Sequence, residues 1–465
     1  MFGVSRVPTR CLSGIALLAA ALTPAMLFGQ EGQPSATGGA QPSYPGLPRG
    51  QASKLETDIG PMKARFYGTI LFNSSIADSA IFGQEVPLWA LNDGGAVTYP
   101  DGTMGRNGNN HDLIFTMRQS IVGFTLNPAN PSGSGWNPSA LAEIDFFGTR
   151  PADNNLPGNR VFNQPRLRLG YFQLERKSLK FVFGQDKMIL APLDPVSLSH
   201  VGVPLGATAG DLWGWFPQVR MDWTHKMGNT GLLVQLGILR PQFGDSRLEA
   251  VPVTGSVFDV GSAGLGERSS QPFYQARVAV SPKIGSRTAT FGVSGHFGDE
   301  KVGVNHTLQS WAVAVDMRLP LGPHAILRGE GFAGSNLFPF MGGINQGAAV
   351  LGTLGTPGTR IQRIGDGGGW AELIVPMNSG KDTLYFGAGT DDPKDSNLFT
   401  GATRAKNSFL WASYFRKITN EVTLAAEWSY WDFRTIAIVN NDPRRRVKAP
   451  TGTTNVVNIS LAYQF

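Results

Sequence analysis

From residue 64 to the last residue, the sequence repeats one kind of unit: a run in which apolar side chains take every second position, then a break at Gly, Pro, Asn or Asp. Successive side chains of a strand point to opposite faces, so each run reads as a strand with one apolar and one polar face. Sixteen runs are legible, near 64–73, 112–126, 139–148, 165–176, 180–188, 216–226, 229–240, 272–281, 287–297, 309–319, 324–334, 368–376, 382–390, 407–418, 420–434 and 454–465. The links between them alternate in length. After the even-numbered runs they are short (177–179, 227–228, 282–286, 320–323, 377–381, 419), and after the odd-numbered runs they are long, as at 74–111, 189–215, 241–271 and 335–367. Only 127–138 breaks the alternation. An antiparallel barrel with tight turns on one rim and long loops on the other has this rhythm, and a soluble sandwich has no reason to sort its loops so. Lipid offers no partner to an open sheet edge, so a membrane sheet closes on itself. Sixteen strands enclose an aqueous channel, where eight would be filled by their own side chains. The expected fold is therefore all-β, a closed antiparallel 16-stranded transmembrane β-barrel over residues 63–465.

The rest of the chain agrees. Hydrophobic residues are 41% and the mean hydropathy is −0.10, too polar for a bundle of membrane helices. Beyond residue 30 no apolar run reaches the roughly 18 residues that a spanning helix needs. Residues 1–29 have the order of a secretory signal: Arg6 and Arg10, an apolar run over 12–22, then small residues near Ala25 and Gly29. Residues 30–62 are rich in Pro, Gly and Ser without a period and read as a flexible periplasmic leader. The one cysteine, Cys11, lies inside the signal, so the exported chain relies on its sheet and not on disulfides. Removing Arg6 and Arg10 from 40 basic residues leaves 38 against 34 acidic, a net charge of +4, too mild to argue for nucleic acid. His111, His200, His225, His296, His306 and His324 show no metal-ligand spacing, so no metal or cofactor is expected. The run at 444–448, Arg-Arg-Arg-Val-Lys, falls in the last long loop and reads as a pore-mouth or lipopolysaccharide contact, or as a plain solvated loop.

The final run ends the chain on an aromatic residue. Val457, Ile459, Leu461, Tyr463 and Phe465 alternate with Asn458, Ser460, Ala462 and Gln464. This resembles the C-terminal strand of bacterial outer-membrane barrels. The resemblance implies an outer-membrane location among lipids and lipopolysaccharide, with Tyr463 and Phe465 in the signal that the barrel-assembly machinery reads.

Alternation also assigns faces. A lipid-facing Arg near mid-membrane costs about 2–4 kcal/mol, so a face that repeatedly carries charge is the water-filled interior. That face holds Arg118, Glu143, Asp145, Arg166, Arg168, Arg220, Asp222, Arg277, Asp316, Arg318, Arg328, Glu330 and Glu427. Strict alternation sets Ile121 with Phe115 and Met117 on the outside, and Leu169 and Tyr171 opposite Arg166 and Arg168. Arg118, Arg166, Arg168, Arg220 and Arg277 fall on one arc of wall, with Glu143, Asp145 and Asp222 among them, so some pairing is expected. The third long loop, 189–215, is unusually apolar for a loop in water. Folded inward against the wall, it would set Asp194, His200 and Asp211 opposite the arginines and create a transverse field. An external lid or a subunit contact is the alternative.

Residues 136–189, with A-E-I-D-F-F-G, P-R-L-R-L-G-Y-F-Q-L-E and F-V-F-G-Q-D, resemble trimeric outer-membrane porins, in particular the DcaP-like group. The resemblance implies a homotrimer, a third loop that narrows the pore, and passive diffusion of small, often anionic solutes. Members of that group often carry a coiled-coil segment before the barrel, whereas residues 30–60 have no heptad. The expected function is a passive diffusion channel for small hydrophilic solutes with a mild preference for anions or dicarboxylates. The rivals are a receptor or adhesin barrel, and a barrel protease or phospholipase. For the last, Ser294 and His296 share the inward face of one strand, but two residues at ~3.3 Å rise stand about 7 Å apart, long for a nucleophile–base pair. A non-enzyme is expected.

Overall fold

The structure, a computed structural model, describes residues 55–465 except 84, 92, 94, 100, 107–111, 131–132, 149–163, 244–263, 353–355, 400–402, 439–445 and 450. The expected signal segment, the leader up to residue 54, and residues 444 and 445 of the basic run lie outside the described residues.

Sixteen antiparallel strands form the wall. The first half is β1 (Met62–Ala77), β2 in two pieces (Asp112–Thr116 and Ile121–Pro128), β3 (Asn137–Gly148), β4 (Gln164–Arg176), β5 (Leu179–Lys187), β6 (Trp215–Met227), β7 (Thr230–Leu239) and β8 (Phe273–Ile284). The second half is β9 (Thr290–Gly303), β10 (His306–Leu321), β11 (Ala325–Ser335), β12 (Gly365–Met377), β13 (Asp382–Asp391), β14 (Arg404–Lys417), β15 (Val422–Ile438) and β16 (Gly452–Gln464). Each expected run corresponds to one of these. Each strand pairs with its neighbours in sequence, and β16 returns to β1 in the register Thr69↔Gln464 to Ala77↔Val456. Among the described residues each wall strand pairs on both sides, except that the piece Asp112–Thr116 pairs with β1 alone, so the sheet closes as a membrane sheet must.

The burial pattern is that of a membrane barrel. Along β10 the outward Val313 and Val315 are 51% and 53% exposed, while Ala312, Ala314 and Asp316, which alternate with them, are buried. Apolar clusters form where loop residues meet wall residues, and among the described residues three of them include residues from 188–214. One joins Trp89, Leu205 and Ile344 to Trp370, Phe409, Trp411 and Trp431. A second joins the loop residues Leu190, Leu212 and Phe340 to Phe216 and Phe273. The third joins Val196 and Leu198 to Leu71, Tyr385 and Phe415. Phe409 is stacked between Trp411 and Trp431, with ring centroids 4.8 and 4.9 Å away.

Four details depart from the expectation. In β2 the chain makes an extra step: Thr69 pairs with Ile121 and Asn73 with Thr116, so four steps along β1 face five along β2. Such a bulge reverses the alternation, and Ile121 is buried at 1% exposure instead of facing outward. In β4, Leu167 pairs with Ile144 and Leu169 with Glu143, leaving Arg168 as the extra residue. Tyr171 therefore pairs with the buried Leu141, on the arginine face, and not opposite it. The link between β9 and β10, expected to be long, consists of Val304 and Asn305 alone, because the alternation runs on through Asp299, Glu300 and Lys301. Finally, Glu56–Ile59, expected in the leader, forms a short strand against β1 in the register Glu56↔Arg65 to Ile59↔Met62.

Candidate functional site

The site is the inner wall together with residues 188–214, the link from β5 to β6. This link is short of polar side chains to bond itself, so its backbone amides are satisfied by wall side chains. Ile189 N and Leu190 N donate to Gln275 Oε1 on β8 (2.8 and 3.1 Å) and Ala191 N to Ser294 Oγ on β9 (3.3 Å). Leu193 N donates to Glu330 on β11 (2.6 Å) and Val196 N to Glu372 on β12 (2.8 Å). Ser199 meets Ser460 on β16 at 2.7 Å, and its carbonyl accepts from Asn73 on β1 and from Gln119 between the halves of β2 (3.2 and 2.8 Å). The carbonyls of Val201 and Gly202 accept from Arg168 and Arg166 on β4 (2.8 and 2.6 Å). Asn407 on β14 donates to Thr208 O at 3.0 Å. Among the described residues, β6 and β7 make no side-chain hydrogen bond to the link.

The expected charged residues are all on the inward face, and most are paired. The bulge in β4 aims two guanidinium groups at two carboxylates: Arg166 and Arg168 reach Asp145 at 2.6 and 3.0 Å, and Arg168 reaches Glu143 at 2.8 Å. Tyr67 adds a hydrogen bond to Glu143 at 2.9 Å. Arg118 pairs with Glu85, a residue of the first long loop that sequence reasoning missed. Arg220 bridges Asp186 and Asp222 at 2.8 and 3.0 Å, and Lys180 holds Asp222 at 2.9 Å. Arg277 holds Asp316 at 2.7 Å. Arg318 and Arg328 face each other in register across β10 and β11. Arg328 pairs with Glu372 at 3.2 Å, donates to Asp194 O, and stacks over Trp370 at 5.4 Å. Glu427 accepts from Ser413 at 2.8 Å and meets His200 Nδ1 at 3.0 Å. Ser197 Oγ contacts the same Nδ1 at 2.9 Å. A catalytic triad needs its serine and its acid on opposite ring nitrogens, so this arrangement is not one.

Asp194 pairs with Lys187 at 2.5 Å, and the Lys187 ammonium also donates to the carbonyls of Pro192 and Leu193 (3.0 and 3.1 Å). Asp211 is different. It is 1% exposed and neither carboxylate oxygen has a hydrogen-bond donor. Burial pushes its pKa well above the usual carboxylate range, and Asp194 pushes the same way against the pull of Lys187. Ser294 and His296 are not joined: Ser294 Oγ accepts from Ala191 N, and His296 Nε2 contacts Ser310 Oγ at 3.0 Å. Among the described residues no group of three or more His, Cys, Asp or Glu is arranged to hold a metal ion.

Charges and rings form a ladder on the β3–β6 side. Arg118 lies over Phe147 at 4.1 Å, Arg166 between Phe147 (5.2 Å) and Trp215 (5.0 Å), and Arg168 over Trp215 at 4.5 Å. The pairs are layered, with the cation usually nearer water. Side-chain exposures are 28% for Arg166 against 0% for Asp145, 32% for Lys180 against 5% for Asp222, and 22% for Lys187 against 11% for Asp194. Arg220 and Asp186 reverse this slightly, at 11% and 15%. Lys180 and Asp186 were legible as inward positions of the fifth run and Glu372 as one of the twelfth. Glu85 and Lys187 lie off the alternating pattern and left no such signal. Tyr463 and Phe465 point outward and are partly exposed.

No family model matches the sequence, and no curated protein matches it. Solved structures do match. The outer-membrane channel DcaP of Acinetobacter baumannii is similar over 90% of this chain and 99% of its own, with a TM-score of 0.58 at 13% identity. An anion-selective porin from Comamonas acidovorans is similar over 87% of this chain and 100% of its own (TM-score 0.49, 10% identity). OprB of Pseudomonas putida is similar over 86% and 94% (TM-score 0.49, 12% identity). The class this fold defines is the closed sixteen-stranded antiparallel β-barrel. Within that class the architecture is similar to that of the DcaP channel.

Proposed function

We propose that the chain is a passive diffusion channel for small hydrophilic solutes, with a mild preference for anions and dicarboxylates, and that it works as a homotrimer. In this reading residues 188–214 fold into the lumen and form the constriction. The observation that carries it is the chain of hydrogen bonds from that link to β8, β9, β11, β12, β14, β16, β1 and β4. The arc to which the link makes no side-chain hydrogen bond, towards β6 and β7 and away from the apolar contact at Phe216, is then the water path; Lys180 and Arg220 stand along it, with Arg166 and Lys187 at its edge. Carboxylates lie behind most of these cations. A near-neutral local count therefore still presents positive charge to a solute, and field lines concentrate where low-dielectric walls approach each other.

Planar-bilayer recording tests the proposal. The expected result is stepwise conductance in multiples of three, with a reversal potential in a salt gradient that favours anions. Arg166→Ala combined with Lys180→Ala should move that potential towards cations and weaken block by dicarboxylates. Absence of conductance sinks the channel reading. An unmoved reversal potential sinks the assignment of the arc.

A further inference from the structure

Arg118 differs from other paired arginines of the lumen in where its carboxylate comes from. Arg166, Arg168, Arg220, Arg277 and Arg328 pair with carboxylates of the wall strands. Arg118 takes its partner from a loop. One oxygen of Glu85 accepts from Arg118 Nε, and the other accepts from Thr116 Oγ1 at 2.8 Å. Thr116 Oγ1 accepts in turn from Arg118 N at 3.3 Å. The guanidinium and the hydroxyl thus make a two-point clamp for one carboxylate, and the chain fills the clamp itself.

Glu85 sits at the tip of a hairpin in which Ile81–Phe82 pairs with Trp89–Ala90. The turn closes through Val86 N to Gly83 O at 2.7 Å, with Gly83 at φ +74°. The base of the hairpin is fixed. Trp89 stacks on Phe82 at 4.4 Å and has Arg404 over its ring at 4.9 Å. Leu88 O accepts from Thr208 Oγ1 of the link 188–214 at 2.8 Å and from Asn407 of β14 at 2.6 Å. At the tip, Gly83, Val86 and Pro87 offer no polar side chain, so Glu85 carries the contact with β2. A wall carboxylate is fixed by ladders on both sides, whereas this one rides on a hairpin of two residue pairs, the kind of segment that opens at low free energy. The clamp is reached from the arginine side, where the side chain of Arg118 is 16% exposed against 5% for Glu85.

We propose that Thr116 and Arg118 form a binding site for one carboxylate of a short dicarboxylate solute, that Glu85 occupies this site in the resting channel, and that the solute displaces the hairpin tip 83–87 as it binds. The inference rests on the channel reading above and adds to it a site and a built-in competitor. Exchanging one carboxylate for another on the same donors keeps the charge-assisted bonds and returns Glu85 to water. A neutral sugar has nothing to put in place of Glu85, so it binds the open and closed forms alike and shifts nothing. The second carboxylate of the solute also has a partner. Arg118 and Arg166 lie on the same ring, 4.1 and 5.2 Å from the centre of Phe147, and the side chain of Arg166 is 28% exposed.

The test uses the full-length protein in planar bilayers, with succinate as the probe and sucrose as the neutral control. Glu85→Gln keeps the shape of the side chain and removes the competing charge. The half-blocking concentration of succinate should fall about tenfold, the change that one charge-assisted contact brings, with sucrose permeation unchanged. Equal succinate block in variant and parent overturns the proposal. So does a matching rise in sucrose permeation, which would make Glu85 a prop that narrows the mouth. Block by acetate as strong as that by succinate overturns the second contact at Arg166. Displacement is read separately on Val86→Cys, a buried residue of the tip, with the parent protein as the blank. Thiol labelling should quicken in succinate and not in sucrose, and adding Arg118→Gln should make it quick without succinate. Labelling indifferent to succinate overturns the exchange, and the Glu85→Gln comparison stands even if Val86→Cys disturbs the hairpin. The two readings fail differently. Loss of the channel reading shows as no conductance, whereas loss of this one leaves Arg166→Ala with Lys180→Ala moving the reversal potential while Glu85→Gln leaves succinate block where it was.

Discussion

Arg277 and Asp316 form a two-point ion pair across a strand to which neither belongs: Nε to Oδ1 is 2.9 Å and Nη2 to Oδ2 is 2.7 Å. Arg277 is on β8 and Asp316 on β10, and Gly292 of β9 lies beneath the bond. A Cβ at residue 292 would overlap Asp316 Oδ1 and lie 2.7 Å from Arg277 Nη2. The pair exists because the strand between has no side chain there. Arg277→Ala should destabilise the barrel by about 3–5 kcal/mol, since it leaves a buried carboxylate uncompensated. Gly292→Ala should cost less, because both partners survive and only the two-point geometry is lost. Urea unfolding of the two variants in lipid vesicles checks the order.

Asp211 gives the link 188–214 a pH dependence of definite sign. Its pKa is raised in the folded state, first by burial and then by Asp194. A carboxyl raised in this way contributes stability that is fully present below its unfolded pKa and is lost as pH rises through the folded value. The link should therefore be held most firmly in mild acid and loosen towards alkaline pH. Asp211→Asn, which cannot ionise, should remove that dependence. Protease cleavage within 188–214, measured against pH in both forms, checks it; equal pH profiles would refute it.

The wall was legible in the sequence because a membrane strand is forced into alternation, and every run found that way is a strand. What was not legible was any residue that breaks the count. The extra steps at 117–120 and at Arg168 carry no compositional mark, yet each turns the following residues over, which is why Ile121 and Tyr171 were set on the wrong face. Partners from loops were equally hidden. Glu85 reaches Arg118 from 33 residues away along the chain, and nothing local announces it. Charges themselves misled at 299–301, where Asp, Glu and Lys resembled the start of a loop and instead continue β9 into a two-residue turn.

Gly210 is where the link 188–214 comes hardest against the wall. Its φ is +112°, and a Cβ would overlap Gly369 O of β12 and lie 2.8 Å from Thr390 N of β13. Gly210→Ala has to relieve both a backbone conformation costing about 1–3 kcal/mol and a clash with main chain that cannot move aside. The link should lift from β12 and β13, not the wall from the link, because the wall is held by ladders on both sides. The expected result is a larger and noisier single-channel conductance with unchanged barrel melting. Conductance identical to the parent protein would mean that residues 188–214 do not set the width of the path.

Phe465 combines two roles that can be separated. Its backbone exchanges two hydrogen bonds with Gly68 on β1, 3.1 and 3.2 Å, at the last step of barrel closure. Its ring points outward, is 36% exposed, and stacks loosely on Tyr463 with centroids 6.4 Å apart. The backbone bonds belong to the finished barrel, and at a net 0.5–1.5 kcal/mol each their loss costs about 1–3 kcal/mol. The ring is half out of the structure, so a recognition role during insertion is the better use for it. Deleting Phe465 should therefore lower both refolding yield in vitro and the amount of folded barrel in cells. Phe465→Ala keeps the two backbone bonds and should refold nearly as well as the parent protein in detergent, yet accumulate poorly in the outer membrane. Conductance of the molecules that do fold should match the parent protein in both variants, because the residue lies on the outer face and touches no part of the water path. If Phe465→Ala reaches parental levels in cells, the ring is not part of an assembly signal and the aromatic terminus serves only to anchor the strand at the interface.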